Sequence, residues 1–228
     1  IDSILVGDSA SNVMAGNQDT TPITVDQMIY HARAVVRACH HCLVVCDMPF
    51  GSYQVSREDG IRNAIRIIKE TGAGAVKMEG GKEIADTVKG IVDAGIPVIG
   101  HLGLTPQSIH KFGGYGLRAK EDTEAEKLIE DALALDAAGV SGITLEKVPA
   151  ALANKVTAMV KAATIGIGAG NGTDGQVLVY ADALGMTSGF KPKFLRHFAN
   201  VNKCMTEGVM EYIRCVKSES FPSEAESY

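Results

Sequence analysis

Six short apolar runs in this chain each give way, at their C-terminal end, to a polar or charged residue. "SILVGD" closes on Asp8 and "CLVVCD" on Asp47; "GAVKMEG" carries Glu79, "IPVIGHLG" His101, "SGITLEKV" Glu146, and "TIGIGAG" runs into Asn171. Between them lie stretches whose apolar residues recur at helical spacing, over 24–38, 56–72, 82–95, 123–138 and 149–163. Ser56 is placed to cap the second of these and Gly72 to stop it. Strands apolar on both faces that alternate with helices form a parallel sheet covered by those helices. Seven βα-like units are countable, the last in "DGQVLVYADALGM", where "ADALG" (181–185) is the weakest strand. Alternation alone fits an open sheet or a barrel. The short regular units and the recurrent polar strand ends favour the barrel, which brings those ends together at one rim. The chain starts directly on a strand and has no initiator Met, so the expected fold is an α/β, (β/α)8 TIM barrel whose first strand is missing from this chain. It is read as one domain over 1–228, with further helix over 191–216 and a polar tail, "KSESFPSEAESY".

The formal net charge of −5 and the lack of a Lys/Arg-rich block make nucleic acid and anionic membrane poor partners. No apolar run reaches the roughly 20 residues of a membrane-spanning helix, and no signal peptide is visible, so the expected location is cytoplasmic. The five cysteines (39, 42, 46, 204 and 215) are odd in number, with three close together, which does not resemble a disulfide framework. "CHHC" at 39–42 has a CxxC spacing but no second Cys/His pair at finger spacing, so reduced thiols are expected rather than zinc. "GIGAGNGTDG" contains a formal GxGxxG at Gly170, Gly172 and Gly175. A dinucleotide fold places that motif after its first strand. Here it comes late, and a Gly-rich loop at a barrel rim accounts for it better.

Side chains alternate along a strand, so Lys77 and Glu79 share one face, opposite Val76 and Met78. Such a pair is either an interior ion pair or part of a site. Asp8 and Asp47 end consecutive strands, with Glu79 on the next. Each alone reads equally well as a turn or helix cap; together, three neighbouring carboxylates call for a cation, and oxygen donors suit Mg²⁺, or Mn²⁺. Glu146, across the barrel, is a candidate general base or a solvated strand-end acid. His101 lies between glycines that let a ligand approach, and reads as a hydrogen-bond donor or as a structural histidine.

Several stretches together resemble the ketopantoate hydroxymethyltransferase family: "LVGDS" (5–9), "TPITVDQMIYHARAV" (21–35), "VVCDMPFGSY" (44–53), "AVKMEGG" (75–81), "PVIGHLGLTPQS" (97–108), "FGGYG" (112–116), "LEKVP" (145–149) and "IGIGAGNGTDGQVLV" (165–179). The resemblance implies a barrel of the phosphoenolpyruvate mutase and isocitrate lyase type. It implies transfer of a one-carbon unit from 5,10-methylenetetrahydrofolate to 3-methyl-2-oxobutanoate, on the way to pantothenate and coenzyme A, through an enolate stabilised by Mg²⁺. Residue by residue, it implies Asp8, Asp47 and Glu79 at the metal, and Asp8, Ser9, Asp47, Lys77 and His101 at the ketoacid. It implies Glu146 as the base, and a homo-oligomer, a decamer, as the assembly. Three features depart from the family: no strand and helix precede "LVGDS", the approach to "TIGIGAG" is short, and "GGYGLRAKED" lacks the Gly-Arg pattern expected after its Tyr. Two other readings share the residues: a metal-dependent lyase or mutase that needs no folate, and an inactive barrel that serves as a scaffold.

Overall fold

The architecture comes from a computed structural model that describes residues 1–187, 189 and 191–228. It divides into two compact units, Ile1–Val177 and Leu178–Tyr228.

In the first unit seven parallel strands pair in chain order: β1 (Ser3–Val6), β2 (Leu43–Asp47), β3 (Ala75–Glu79), β4 (Val98–Gly103), β5 (Gly142–Glu146), β6 (Ala163–Ile167) and the two-residue β7 (Gly175–Gln176). The helices between them are α1 (Ala10–Val13), α2 (Val25–Ala38), α3 (Arg57–Thr71), α4 (Ala85–Asp93), α5 (Ile109–Phe112), α6 (Asp122–Ala138) and α7 (Ala150–Met159). This is the curled parallel sheet with outer helices expected of a (β/α)8-type barrel.

Local chemistry sets the element boundaries. Thr24 and Gln27 form a reciprocal capping box at the start of α2, in which the Gln27 amide donates to the Thr24 hydroxyl and the Thr24 amide to Gln27 Oε1 at 2.8 Å. Ser56 Oγ accepts from the Asp59 amide at 3.1 Å to start α3, and Gly72, at φ +77°, ends it in a left-handed conformation that glycine adopts without strain.

The period of two along each strand sorts residues into two apolar layers. Cys46, Val76, Met78, Val98, Ile143 and Leu145 face the helices and pack with Met28, Ile67, Ile91, Leu135 and Val156 in the main core. On the other face, Val45, Ala75 and Ile99, with Leu5 against them, make a small separate cluster. Asp47, Lys77 and His101 each lie two residues further along that same face. The inner surface is therefore apolar toward one end of the strands and charged at the other.

In the second unit the described residues form two α-helices, α8 (Tyr180–Ala183) and α9 (Val201–Lys217). "ADALG" is thus helical rather than extended, since Ala181, Asp182 and Ala183 form a single turn. The helix expected over 191–216 begins only at Val201, where the Asn200 side chain accepts from the Lys203 amide and caps it. None of the residues of α9 is buried. Among the described residues no helix is long and apolar enough to cross a membrane.

Gly100 on β4 is a point where α6 docks closely: a Cβ there would lie 2.7 Å from Leu135 Cδ1. Leu135→Ala is expected to lower stability by about 2–4 kcal/mol. Adding Gly100→Ala to that variant should recover part of the loss, whereas Gly100→Ala alone should destabilise. Urea unfolding of the two single variants and the double variant checks this; additive losses would contradict it.

Candidate active site at the C-terminal strand ends

The expected residues converge. Asp47 is the last residue of β2 and pairs in register with Lys77 on β3. Glu79, the last residue of β3, pairs with His101 on β4, and Gly103 pairs with Glu146, the last residue of β5. Asp8 follows β1 by two residues, and its backbone amide donates to Asp47 Oδ2 at 2.9 Å. Gly7 keeps that turn uncrowded: a Cβ there would sit a tight 3.1 Å from Ser9 Oγ. Ser9 stands at the start of α1, where its hydroxyl makes no capping bond.

The Lys77 ammonium lies at the centre of the cluster, with Asp47 Oδ1 at 2.9 Å, His101 Nδ1 at 3.2 Å and Glu79 Oε1 at 3.9 Å. Asp47 Oδ1 accepts no well-directed hydrogen bond, so its contact with Lys77 is an ion pair alone. His101 bridges two acids: Nδ1 is 3.1 Å from Glu79 Oε1, and Nε2 is 3.3 Å from Glu146 Oε2, close but off hydrogen-bond alignment. Only Glu146 opens outward; its side chain is 17% exposed, against 5% for Lys77.

Three buried carboxyl groups here share one ammonium and one imidazole, and their protonation follows from that shortage of positive charge. Burial, then repulsion from Asp47 and Glu79, pushes Asp8 from 3.8 up to about 8, against the opposing pull of Lys77 and Gln107. Burial also raises Asp47, although Lys77 and the Asp8 amide oppose it. Burial works to raise Glu79 too, but His101, Lys77 and the Gln107 amide outweigh it and hold that carboxyl low. Burial works to lower Lys77, yet the surrounding carboxylates keep its ammonium firmly charged. Burial and Lys77 pull His101 down, but Glu79 and Glu146 prevail and push it from 6.5 up to about 9. The neighbouring Cys46 thiol, buried beside Asp47, is pushed up to about 12 and is no nucleophile at neutral pH.

Two residues that the sequence did not mark complete the cluster. Gln107, in the short 3₁₀ turn Pro106–Ser108 after β4, donates from Nε2 to Asp8 Oδ2 at 2.8 Å and from its backbone amide to Glu79 Oε2 at 2.9 Å. The Tyr53 hydroxyl meets Gln107 Oε1 at 2.7 Å and accepts from the Glu79 amide at 3.0 Å. Asn171 is exposed and the Gly-rich loop carrying it lies between β6 and β7.

A cavity of about 580 Å³ adjoins the cluster, lined by Tyr53, Glu79 and Gln107 together with Phe50, Phe112 and Arg118. A larger one, about 660 Å³, lies at the other end of the strands, among Leu133, Asp136, Val140 and Lys161. It holds none of the clustered acids, so the first is the one with chemistry beside it.

The ketopantoate hydroxymethyltransferase family model matches residues 1–224. The chain belongs to that family. Relatives called 3-methyl-2-oxobutanoate hydroxymethyltransferase include those of Flavobacterium johnsoniae and Bacteroides fragilis, each 59% identical over 228 residues, and that of Christiangramia forsetii, 60% identical. Each of these alignments spans 100% of this chain and 84% of the relative. Two crystal structures from Burkholderia cenocepacia share the fold. One, a candidate phosphonomutase, has a TM-score of 0.56 at 16% identity over 72% of this chain and 68% of its own. The other, a candidate lyase or mutase, has a TM-score of 0.55 at 14% identity over 97% of this chain and 76% of its own. The expected fold class is thereby met in this member of the family.

The raised Asp8 has a measurable consequence. The unfolded chain releases that proton near pH 3.8 and the folded chain near pH 8, so folding loses stability as pH rises through this window. Asp8→Asn has no proton to lose. In chelator-treated protein the variant should melt close to the parent at pH 5 and at least about 2 °C higher at pH 9. A difference that fails to widen with pH would contradict the crowding of carboxylates.

Proposed function

We propose that this chain is a 3-methyl-2-oxobutanoate hydroxymethyltransferase. It takes a one-carbon unit from 5,10-methylenetetrahydrofolate and yields, with consumption of water, ketopantoate and tetrahydrofolate for the synthesis of pantothenate and coenzyme A. The observation that carries this reading is the juxtaposition of a buried Lys77 and an acid pair, Asp8 and Asp47, with the more open Glu146 on the far side of His101.

The donor set suits a hard divalent cation, Mg²⁺ first. Asp8 and Asp47 offer carboxylate oxygens, and Asp47 Oδ1 is buried without a hydrogen bond. Glu79 has committed Oε2 to the Gln107 amide and Oε1 to His101. Among the described residues no three acidic, His or Cys side chains converge to hold an ion. We therefore assign direct binding to Asp8 and Asp47, with Glu79 supplying negative charge from behind. When bound, the cation would act as a Lewis acid that lowers the energy of the ketoacid enolate.

The protein's own residues do the rest. The Lys77 ammonium, held charged by the surrounding acids, faces the oxyanion that develops on the 2-oxo group. The Ser9 hydroxyl, free of any cap, is available to the ketoacid carboxylate. Glu146 takes the proton from C3. Its Oε2 lies 3.3 Å from His101 Nε2, and its side chain is the most open of the cluster. C3 then bonds to the methylene carbon of the folate as one of its carbon–nitrogen bonds breaks, and water displaces the second nitrogen, leaving the hydroxymethyl group on C3 and releasing tetrahydrofolate. We assign a homo-oligomer as the working assembly, a reading supported by α9, where Met205, Val209, Ile213 and Val216 recur along one face and are all exposed.

Proton exchange at C3 of 3-methyl-2-oxobutanoate in D₂O, followed by NMR, tests the chemistry. The parent should exchange in a Mg²⁺-dependent manner, and Glu146→Gln should slow exchange by about 10²-fold or more. Absence of exchange by the parent would overturn the substrate. Exchange followed by turnover without folate would overturn the donor.

A further inference from the structure

We infer that Gln107 is a positioning residue that fixes which carboxylate oxygen of Asp8, the acid beside Asp47, faces the ligand, and that Tyr53 in turn helps to hold Gln107. The inference rests on the reading proposed above, that these two acids hold a divalent cation.

A glutamine side chain has two donor protons and one oxygen with two lone pairs. All four positions are used here. Nε2 donates to Asp8 Oδ2 at 2.8 Å and to the Met48 carbonyl at 2.9 Å. Oε1 accepts from the Tyr53 hydroxyl at 2.7 Å and from Gln54 Nε2 at 3.2 Å. The backbone amide of the same residue donates to Glu79 Oε2 at 2.9 Å. One residue thus touches the ends of three successive strands: the turn after β1 through Asp8, the residue following β2 through Met48, and the last residue of β3 through Glu79.

The orientation of the amide is determined by its partners. The Met48 carbonyl can only accept, so the nitrogen must lie on that side. The nitrogen then also faces Asp8, and the oxygen faces Tyr53. The Tyr53 hydroxyl accepts from the Glu79 amide at 3.0 Å, and its own proton has two acceptors within reach, Gln107 Oε1 at 2.7 Å and the Glu79 carbonyl at 3.1 Å, of which Gln107 is the nearer. Asp8 Oδ2 consequently always meets a donor. Among the described residues Asp8 Oδ1 takes no hydrogen bond, and Asp47 Oδ2 is held by the Asp8 amide while Oδ1 is not hydrogen-bonded. One oxygen of each acid is tied back; Asp8 Oδ1 is left for a ligand, and Asp47 Oδ1 faces the Lys77 ammonium at 2.9 Å. Gln107 does this without adding charge to a cluster already crowded with carboxylates. Its residue, at 5% exposure, lies beneath the site and need not touch the ketoacid.

Three variants test the inference: Gln107→Met, which keeps length and removes every side-chain hydrogen bond; Gln107→Glu, which replaces the donor to Asp8 with an acceptor; and Tyr53→Phe, which keeps the ring and removes the shorter of the two hydrogen bonds that hold Gln107 Oε1. The probe is Mn²⁺ alone, titrated into the intact chain without substrate and read by electron paramagnetic resonance, with circular dichroism to establish folding. Both Gln107 variants should bind Mn²⁺ about 10-fold or more weakly than the parent, with Tyr53→Phe in between, and saturating metal should return kcat closer to the parental value than KM for the metal. Folded variants that bind Mn²⁺ within about twofold of the parent would overturn the inference, and Tyr53→Phe keeps that decision open to measurement if the Gln107 variants do not fold. A parent that binds no Mn²⁺ overturns it together with the metal assignment. A parent that binds Mn²⁺ but forms no ketopantoate overturns the reaction alone, and the affinity ratios still decide the role of Gln107.

Discussion

A single ammonium group, that of Lys77, holds the charged end of this sheet together. It is buried among Asp47 from β2, Glu79 from its own strand and His101 from β4. A buried cation costs several kcal/mol unless acids surround it, and buried acids cost as much unless a cation lies between them. The cluster is therefore stable only as a set. Even so it is unbalanced: with Asp8 included there are three carboxyl groups, and Asp8 remains protonated to about pH 8. That imbalance is the physical basis for expecting a further positive charge at the site.

The same face of the strands is apolar below the cluster, where Val45, Ala75 and Ile99 meet. Polar groups above this layer cannot turn inward for solvation, so they satisfy one another or a ligand. Gln107 and Tyr53 bring order to what would otherwise be a loose collection of like charges. They themselves carry no charge, so their hydrogen bonds do not worsen the charge imbalance.

Much of this was legible in the sequence, for identifiable reasons. Apolar runs that end on acids specify parallel strands with a shared polar rim, and the period of two placed Lys77 and Glu79 on one face. Thr24, Ser56 and Gly72 marked helix ends because capping is local chemistry. The role of Gln107 was hidden because its partners lie 28 to 99 residues away and its own motif, "TPQS", reads as an ordinary turn. Tyr53 was hidden likewise, since nothing nearby in the chain reveals that its hydroxyl reaches β3. The involvement of Glu79 was foreseen but its commitment to His101 and Gln107 was not, because hydrogen bonds already made are a property of packing. "ADALG" was misjudged as extended because five residues of mixed propensity hold too little pattern to separate one helical turn from a strand.

The central claim is that Asp8 and Asp47 form a cation site at the mouth of the barrel. The most direct measurement is anomalous X-ray diffraction from crystals of this chain soaked in Mn²⁺. The account predicts an anomalous peak in direct contact with carboxylate oxygens of both Asp8 and Asp47, with Glu79 still bonded to Gln107. Clear density for an ordered cluster with no peak between those two acids would contradict it.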